Sequence, residues 1–398
     1  MKKSFLVLFG AVMLAMTALT SCSKESEKIV APVKSETQFS DLSGLKLTVN
    51  GREMTGCSVN YIPDANAGDK ASMIVTGEIV QIPELLSSLI SGIDLGGTKA
   101  VRTSTTSNVL PGAPALNLDV TLDVSGDAGS FQGEGATDYC TFSYKGTVSS
   151  SKLVLNLSNV SMKNKALQNT IWRPAAAGKN WGNTIGISSD SQLGSLIEML
   201  LQLIPVDIPE GQGNLEQALC AVLRSLEFYD NGEWTVSYLE SWKTMSYTNV
   251  PRGCLNYVVT GDNEMRVFLS VGDIVRLSEQ IKAAKGTKAG EDNVLTQLVE
   301  VVSGLVANAL TDGIKINFEQ NGDNLRLTFD SDLIMEIVTL LSTALSDQTI
   351  QAMLLGALGD DPMVAKLLPG LLQSLPGMVA STSTLNLSVN FTAPSIAN

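Results

Sequence analysis

The sequence predicts an α+β protein, with an antiparallel β-rich first half followed by a half of repeated β-hairpin plus helix units. Three observations carry this reading. From Leu45 onward, apolar and polar residues alternate at period two over long stretches, the pattern of strands with one buried and one wet face. Turn sequences such as Asn50-Gly51 separate these runs, and Asn-Gly suits two-residue hairpins because both positions accept positive φ. In the second half, apolar runs of helical length alternate with the hairpins and end at Pro or Gly.

Taken in order, Leu45, Leu47 and Val49 lead through Asn50-Gly51 to Cys57, Val59 and Tyr61. An apolar helix is expected at about Pro83 to Ile93, and a Ser/Thr-rich loop from Lys99 to Asn108. Leu116, Leu118, Val120, Leu122 and Val124 form one strand face, with further strands at Tyr139 to Val148 and Leu153 to Met162. The second half predicts helices at Leu193 to Ile204, Leu215 to Leu223, Asp273 to Ala284, Val294 to Leu310, Asp332 to Leu345 and Thr349 to Leu358. Hairpins are expected at Leu226 to Tyr238, Leu255 to Leu269 and Ile314 to Phe329, with a last strand through Leu385 and Phe391. Gly261-Asp262-Asn263 and Gly322-Asp323-Asn324 open similar stretches, with a fainter copy at Gly68-Asp69-Lys70. This suggests a reused hairpin with a covering helix. The resulting domains are 41–185, β-rich with one apolar helix, and 186–398, helices and hairpins.

Composition removes whole classes of chemistry. The 398 residues include no His, so Ser-His-Asp and Cys-His nucleophile systems and His-ligated metals are excluded. No glycine-rich phosphate loop is present, and no cofactor or metal is expected. With 44% apolar and 17% charged residues the chain is that of a folded protein.

The chain opens with Lys2 and Lys3, an apolar run from Phe5 to Ala18, and Leu19-Thr20-Ser21-Cys22. This reads as a signal peptide over 1–21, too short an apolar stretch to span a membrane. Residues 22–40 form a polar tether. Without residues 1–21, 25 basic and 40 acidic side chains leave a charge of −15, which opposes nucleic-acid binding. The segment Leu19 to Cys22 resembles the bacterial lipobox, and Ser23-Lys24-Glu25-Ser26-Glu27 resembles charged export tags of surface lipoproteins. Together with Gly44-Leu45-Lys46-Leu47-Thr48-Val49-Asn50-Gly51, these residues make the chain similar to lipoproteins of about 400 residues and unknown function from Bacteroides-type bacteria. The resemblance implies a lipidated Cys22, an outer-membrane location with the cell surface favoured over the periplasmic face, and a barrel- or lipocalin-like first half. It implies no activity.

Cys57, Cys140, Cys220 and Cys254 are then left, which allows two disulfides or four buried thiols. Trp172, Trp181, Trp234 and Trp242 fall near expected loops or strand ends. Core packing accounts for them, while Trp234, flanked by Tyr229 and Tyr238, is the candidate exposed platform for a sugar ring. The apolar helices are either core or the lining of an apolar cavity; Leu200 and Leu203, with Leu196 and Ile204 and the set Leu85, Leu86, Leu89 and Ile90, are the candidate lining. Met363 to Val379 is nearly uncharged but holds Pro369 and Pro376, which argues against a simple membrane span. Two-carboxylate hydrolysis needs no His, yet turn chemistry accounts for Asp230, Glu233, Asp262, Glu264 and Asp323. The expected role is therefore non-enzymatic binding of an apolar ligand or glycan. The alternatives are an accessory subunit that meets other envelope proteins, or a His-free carboxylate hydrolase.

Overall fold

The computed structural model describes residues 30–81, 104–175, 184–203, 205–208, 211–241, 244–270, 312–345, 351 and 362–393. The leader, Cys22 and the helices expected at 83–93, 273–284 and 294–310 lie outside them, as does nearly all of that expected at 349–358.

The first region contains β1 (Thr37–Ser40), β2 (Leu45–Val49), β3 (Arg52–Met54), β4 (Ser58–Pro63), β5 (Lys70–Thr76), β6 (Ile79–Gln81) and β7 (Ser104–Thr106). It continues with β8 (Ala115–Thr121), β9 (Asp123–Ser125), β10 (Ala128–Ala136), β11 (Cys140–Ser149) and β12 (Leu153–Met162). Two sheets result, ordered β1-β4-β5-β8 and β3-β2-β12-β11-β10-β9, and β6 pairs with β7 as a separate ribbon. Ser104–Thr106 is thus a strand inside the stretch expected as a loop. Asn50 and Gly51 adopt φ of 48° and 81°, which folds β2 back onto β3 through the turn that Asn-Gly favours. The strand expected through Leu116 and Val124 breaks at Leu122, where the chain passes from one sheet to the other. All pairings within the two sheets are antiparallel except β2 with β12, which is parallel. Leu47, Val59, Met73, Leu153, Leu155 and Leu157 are fully buried between the sheets.

The second region contains β13 (Thr170–Pro174), β14 (Ile185–Ser189), α1 (Gln192–Leu203), β15 (Pro205–Ile208), β16 (Gly211–Asn214) and α2 (Leu215–Val222). Then come β17 (Leu223–Phe228), β18 (Glu233–Ser241), β19 (Ser246–Asn249), β20 (Leu255–Val259), β21 (Glu264–Leu269), β22 (Ile314–Asn321) and β23 (Asn324–Phe329). The chain closes with α3 (Ser331–Leu345), α4 (Pro362–Ala380) and β24 (Leu385–Thr392). The order β13-β17-β18-β20-β21-β22-β23-β24, with β24 pairing back onto β13, is an antiparallel barrel of eight strands. Closure removes the open sheet edge.

The closed barrel lies in the second region, not the first. Its strand β13 comes from within the stretch 41–185, and Trp172 on it is buried opposite Leu226. The stretches at Gly261-Asp262-Asn263 and Gly322-Asp323-Asn324 are neighbouring turns at one end of that barrel, joining β20 to β21 and β22 to β23. Helix α4 runs through Pro369 and Pro376, and among the described residues no helix is long and apolar enough to cross a membrane.

The two regions meet along a seam. Val258 and Phe268, on the outer face of the barrel, pack into the core of the first region. Glu233 joins the two: its Oε1 accepts from Arg52 Nη1 at 3.0 Å and its Oε2 from Arg252 Nε at 3.0 Å. Gly253, at φ 91°, lies where a Cβ would overlap the Arg52 guanidinium, so only glycine leaves room for this pair.

Candidate functional site

The barrel has two unlike ends. The turns at 229–232, 260–263 and 322–323 close one end. The other end carries the helices, since α1 follows β14, α3 follows β23 and α4 precedes β24. Because strand side chains alternate between faces, the cross-strand pairs assign Trp234, Val236 and Tyr238 to the same face as Phe228, Leu226 and Leu223. That face points into the barrel.

The turn end is filled. Phe228, Tyr257, Met265 and Leu325 are fully buried there. The Phe228 ring stacks on Trp234 at 5.6 Å and 7°, and meets Tyr257 edge-on at 5.0 Å and 81°, both favoured arrangements. Tyr257 Oη donates to the Tyr229 carbonyl at 3.0 Å, and burial drives its pKa upward. Further up, Trp172, Leu226, Ile316 and Leu327 remain buried. At the helix end the same inward face changes character: Leu223, Val236, Ile314, Phe329 and Val389 are only half-buried. Among the described residues the interior is thus tightest around Phe228, Tyr257, Met265 and Leu325, while Trp234 at the turn end and Leu223, Val236, Ile314 and Phe329 toward the helices are only partly buried.

Helices α1, α3 and α4 gather at the helix end. Leu193, Leu375, Val379 and Leu385 form their small buried core, with Ile187, Leu196, Ile197, Ile334 and Val338 against it. On α1 the stripe Leu193, Leu196, Ile197 and Leu200 follows helical spacing; Leu193 is buried and Leu200 half-buried. Leu200 is thus a half-buried residue of α1, while the Leu203 side chain and Leu85, Leu86, Leu89 and Ile90 lie outside the described residues.

The aromatic platform is not formed. Trp234 faces Phe228 inside the barrel, and its Nε1 is enclosed without a hydrogen-bond partner. Tyr238 is half-buried on the same inward face. Tyr229 lies at the seam, with the Arg252 guanidinium 3.8 Å above its ring; burial, then a hydrogen bond donated by its hydroxyl to Glu227, push its pKa up to about 12. Trp172 is core, with Nε1 donating to Thr170 Oγ1 at 2.8 Å. Trp181 and Trp242 lie outside the described residues.

Cys57, Cys140 and Cys220 carry free thiols, so the pair of disulfides that the even count allows is not formed. Cys254 is buried next to Gly253 at the seam. Burial, reinforced by Asp41 and Glu78, raises Cys57 to about 12, and burial is also the main cause that raises Cys140 and Cys220. Raised thiols are poor nucleophiles. Two of the five turn carboxylates are committed structurally: Glu233 to the seam, and Glu264 to Thr260, Lys315 and Arg266. Among the described residues no group of three His, Cys, Asp or Glu side chains could hold a metal ion.

Among the described residues the side chains named at this end of the barrel interior, Leu223, Val236, Ile314 and Phe329, are apolar. Sequence reasoning missed both the gradient of burial within the barrel and the Arg52–Glu233–Arg252 seam. Nothing local links residues so far apart, and alternation alone does not say which end of a strand is covered. No family model, curated protein or solved structure matches this chain.

Proposed function

We propose that this protein is a lipoprotein anchored to the outer membrane through Cys22, facing outward, that holds an apolar ligand in the helix-side mouth of its barrel without transforming it. The observation that supports the reading is a set of apolar side chains on the inward face that are only half-buried among the described residues, Leu223, Val236, Ile314 and Phe329, toward the end that carries the helices. Mouths of small antiparallel barrels are a recurrent place for a single small ligand. Covering these side chains would contribute roughly 25 cal/mol for each Å² withdrawn from water. The accessory-subunit role is the alternative, and Leu42 and Ile79, at 101% and 66% exposure, are its starting points.

The test is native mass spectrometry on protein extracted from membranes, before and after incubation with phospholipid and fatty-acid vesicles. A lipid adduct is expected on the wild type and its loss on Val236→Trp, which fills the mouth. A clean apo mass in every condition would remove the binding reading. Cys22→Ala should release the protein from membranes, and unchanged retention would remove the anchor.

A further inference from the structure

The outer face of the first region's larger sheet carries an unusual surface. Its inward face is the buried row of Phe131, Phe142, Tyr144, Leu155 and Leu157. On the outward face the register aligns three mainly polar rows: Asp123, Ser130, Thr147 and the apolar Val154; Gln132, Lys145 and Asn156; and Glu134, Ser143 and Ser158. A hollow of about 500 Å³ spans the first two rows and another of about 370 Å³ spans the second and third. They share Gln132 and Lys145, so they form one furrow across the sheet. A β-bulge between Thr141 and Ser143 and the positive φ of Asn159, 53°, lie at its far end, and bulges bend and twist the strands that hold them.

The chemistry of the furrow is specific in three ways. Its backbone is paired between β10, β11 and β12, whereas β9 covers only Ala128 to Ser130 of β10, so the furrow presents side chains over its area and an open strand edge only at its rim. Its side chains are uncommitted: among the described residues Asp123, Ser130, Gln132, Lys145, Thr147, Glu134 and Ser158 have no side-chain partner. Asn156 Oδ1 accepts from Thr48 at 2.8 Å, which leaves its amide N–H groups for a ligand. Its charges are mixed, Asp123 and Glu134 against Lys145, on a chain of net charge −13, so a polyanion is disfavoured. Closely spaced amides, hydroxyls and single charges of both signs offer donors and acceptors in alternation, which matches a ligand made of adjacent hydroxyl groups.

We infer that this furrow on β9 to β12 is a binding site for a neutral oligosaccharide, separate from the apolar mouth of the barrel. The test is isothermal titration of the full-length protein in detergent with a panel of neutral oligosaccharides from α-glucan, β-mannan, xylan and desialylated mucin. At least one should bind, and Gln132→Ala combined with Lys145→Ala should weaken it by about tenfold or more. Both positions are exposed, so the unfolding midpoint and any lipid adduct should stay unchanged. Absence of binding across the panel, equal binding by the double variant, or preference for a sialylated or sulfated glycan would each overturn the inference.

Discussion

The two regions of the chain use the same strand code to different ends. In the first, inward residues are sealed along whole strands: Leu153, Leu155 and Leu157 are each at 0% exposure, and the facing sheet supplies Val59, Tyr61, Met73 and Val75, also at 0%. In the barrel, Phe228, Tyr257, Met265 and Leu325 reach 0% at the turn end, whereas Leu223, Ile314 and Phe329 at the other end stay half-buried. Two stacked sheets close on each other like the halves of a sandwich. A barrel of eight strands closes sideways and leaves its two ends to other elements, here tight turns at one and helices at the other. Alternation therefore specifies an inside in both regions, but the way the sheet closes decides whether that inside is filled.

The largest effect is expected from testing floor against mouth. Trp172→Ala should cost about 3–5 kcal/mol in denaturant unfolding, as for other large buried aromatics, while Phe329→Ala should cost only about 1–2 kcal/mol because its ring is already partly exposed. Equal costs would mean that the mouth is ordinary core and that no ligand site is there. Next comes the seam. Glu233→Gln removes the carboxylate shared by Arg52 and Arg252; with its side chain at 12% exposure, the loss should be about 1.5–3 kcal/mol, the range for hydrogen bonds to charged groups. Calorimetry should then show the two regions melting apart, and one unbroken transition would mean that packing of Val258 and Phe268 alone couples them. The smallest effect is expected at Glu264, whose pKa is lowered first by the 2.7 Å hydrogen bond from Thr260 and then by Lys315 and Arg266. A lowered carboxylate stabilises the fold above its unfolded pKa, near ~4.3, and loses that contribution as pH falls through the folded value. Glu264→Gln should therefore cost less than about 1 kcal/mol at neutral pH, with the difference from wild type vanishing in acid. A gap that widens on acidification would reverse the assignment.

Much of the fold was legible residue by residue. The strand expected at Leu153 to Met162 matches β12, and the hairpin at Ile314 to Phe329 matches β22 and β23. Helix α3 begins one residue before Asp332, and α1 begins at Gln192 beside the expected Leu193. These succeed because a period of two or of 3.6 is a local property. The Ser/Thr stretch at 104–106 failed because a short ribbon strand is decided by its partner, here β6. Of the candidate site, the helical stripe through Leu200 was legible from its spacing alone, but Trp234, chosen for its turn and aromatic neighbours, points inward against Phe228. One residue of register decides whether a strand aromatic faces solvent or core, and composition near a turn does not reveal it.

The sequence by itself determined the antiparallel strands, the helices bounded by Pro and Gly, the absence of imidazole chemistry, and an apolar interior in both regions, because each follows from local propensity or from residue types. Only the tertiary structure decided that β24 closes onto β13, that Leu223, Val236, Ile314 and Phe329 on the inward face stay only partly buried among the described residues, and that Glu233 ties the barrel to Arg52. Those features depend on pairings between residues more than a hundred positions apart, and such pairings are chosen by packing of the whole chain, which no local pattern encodes.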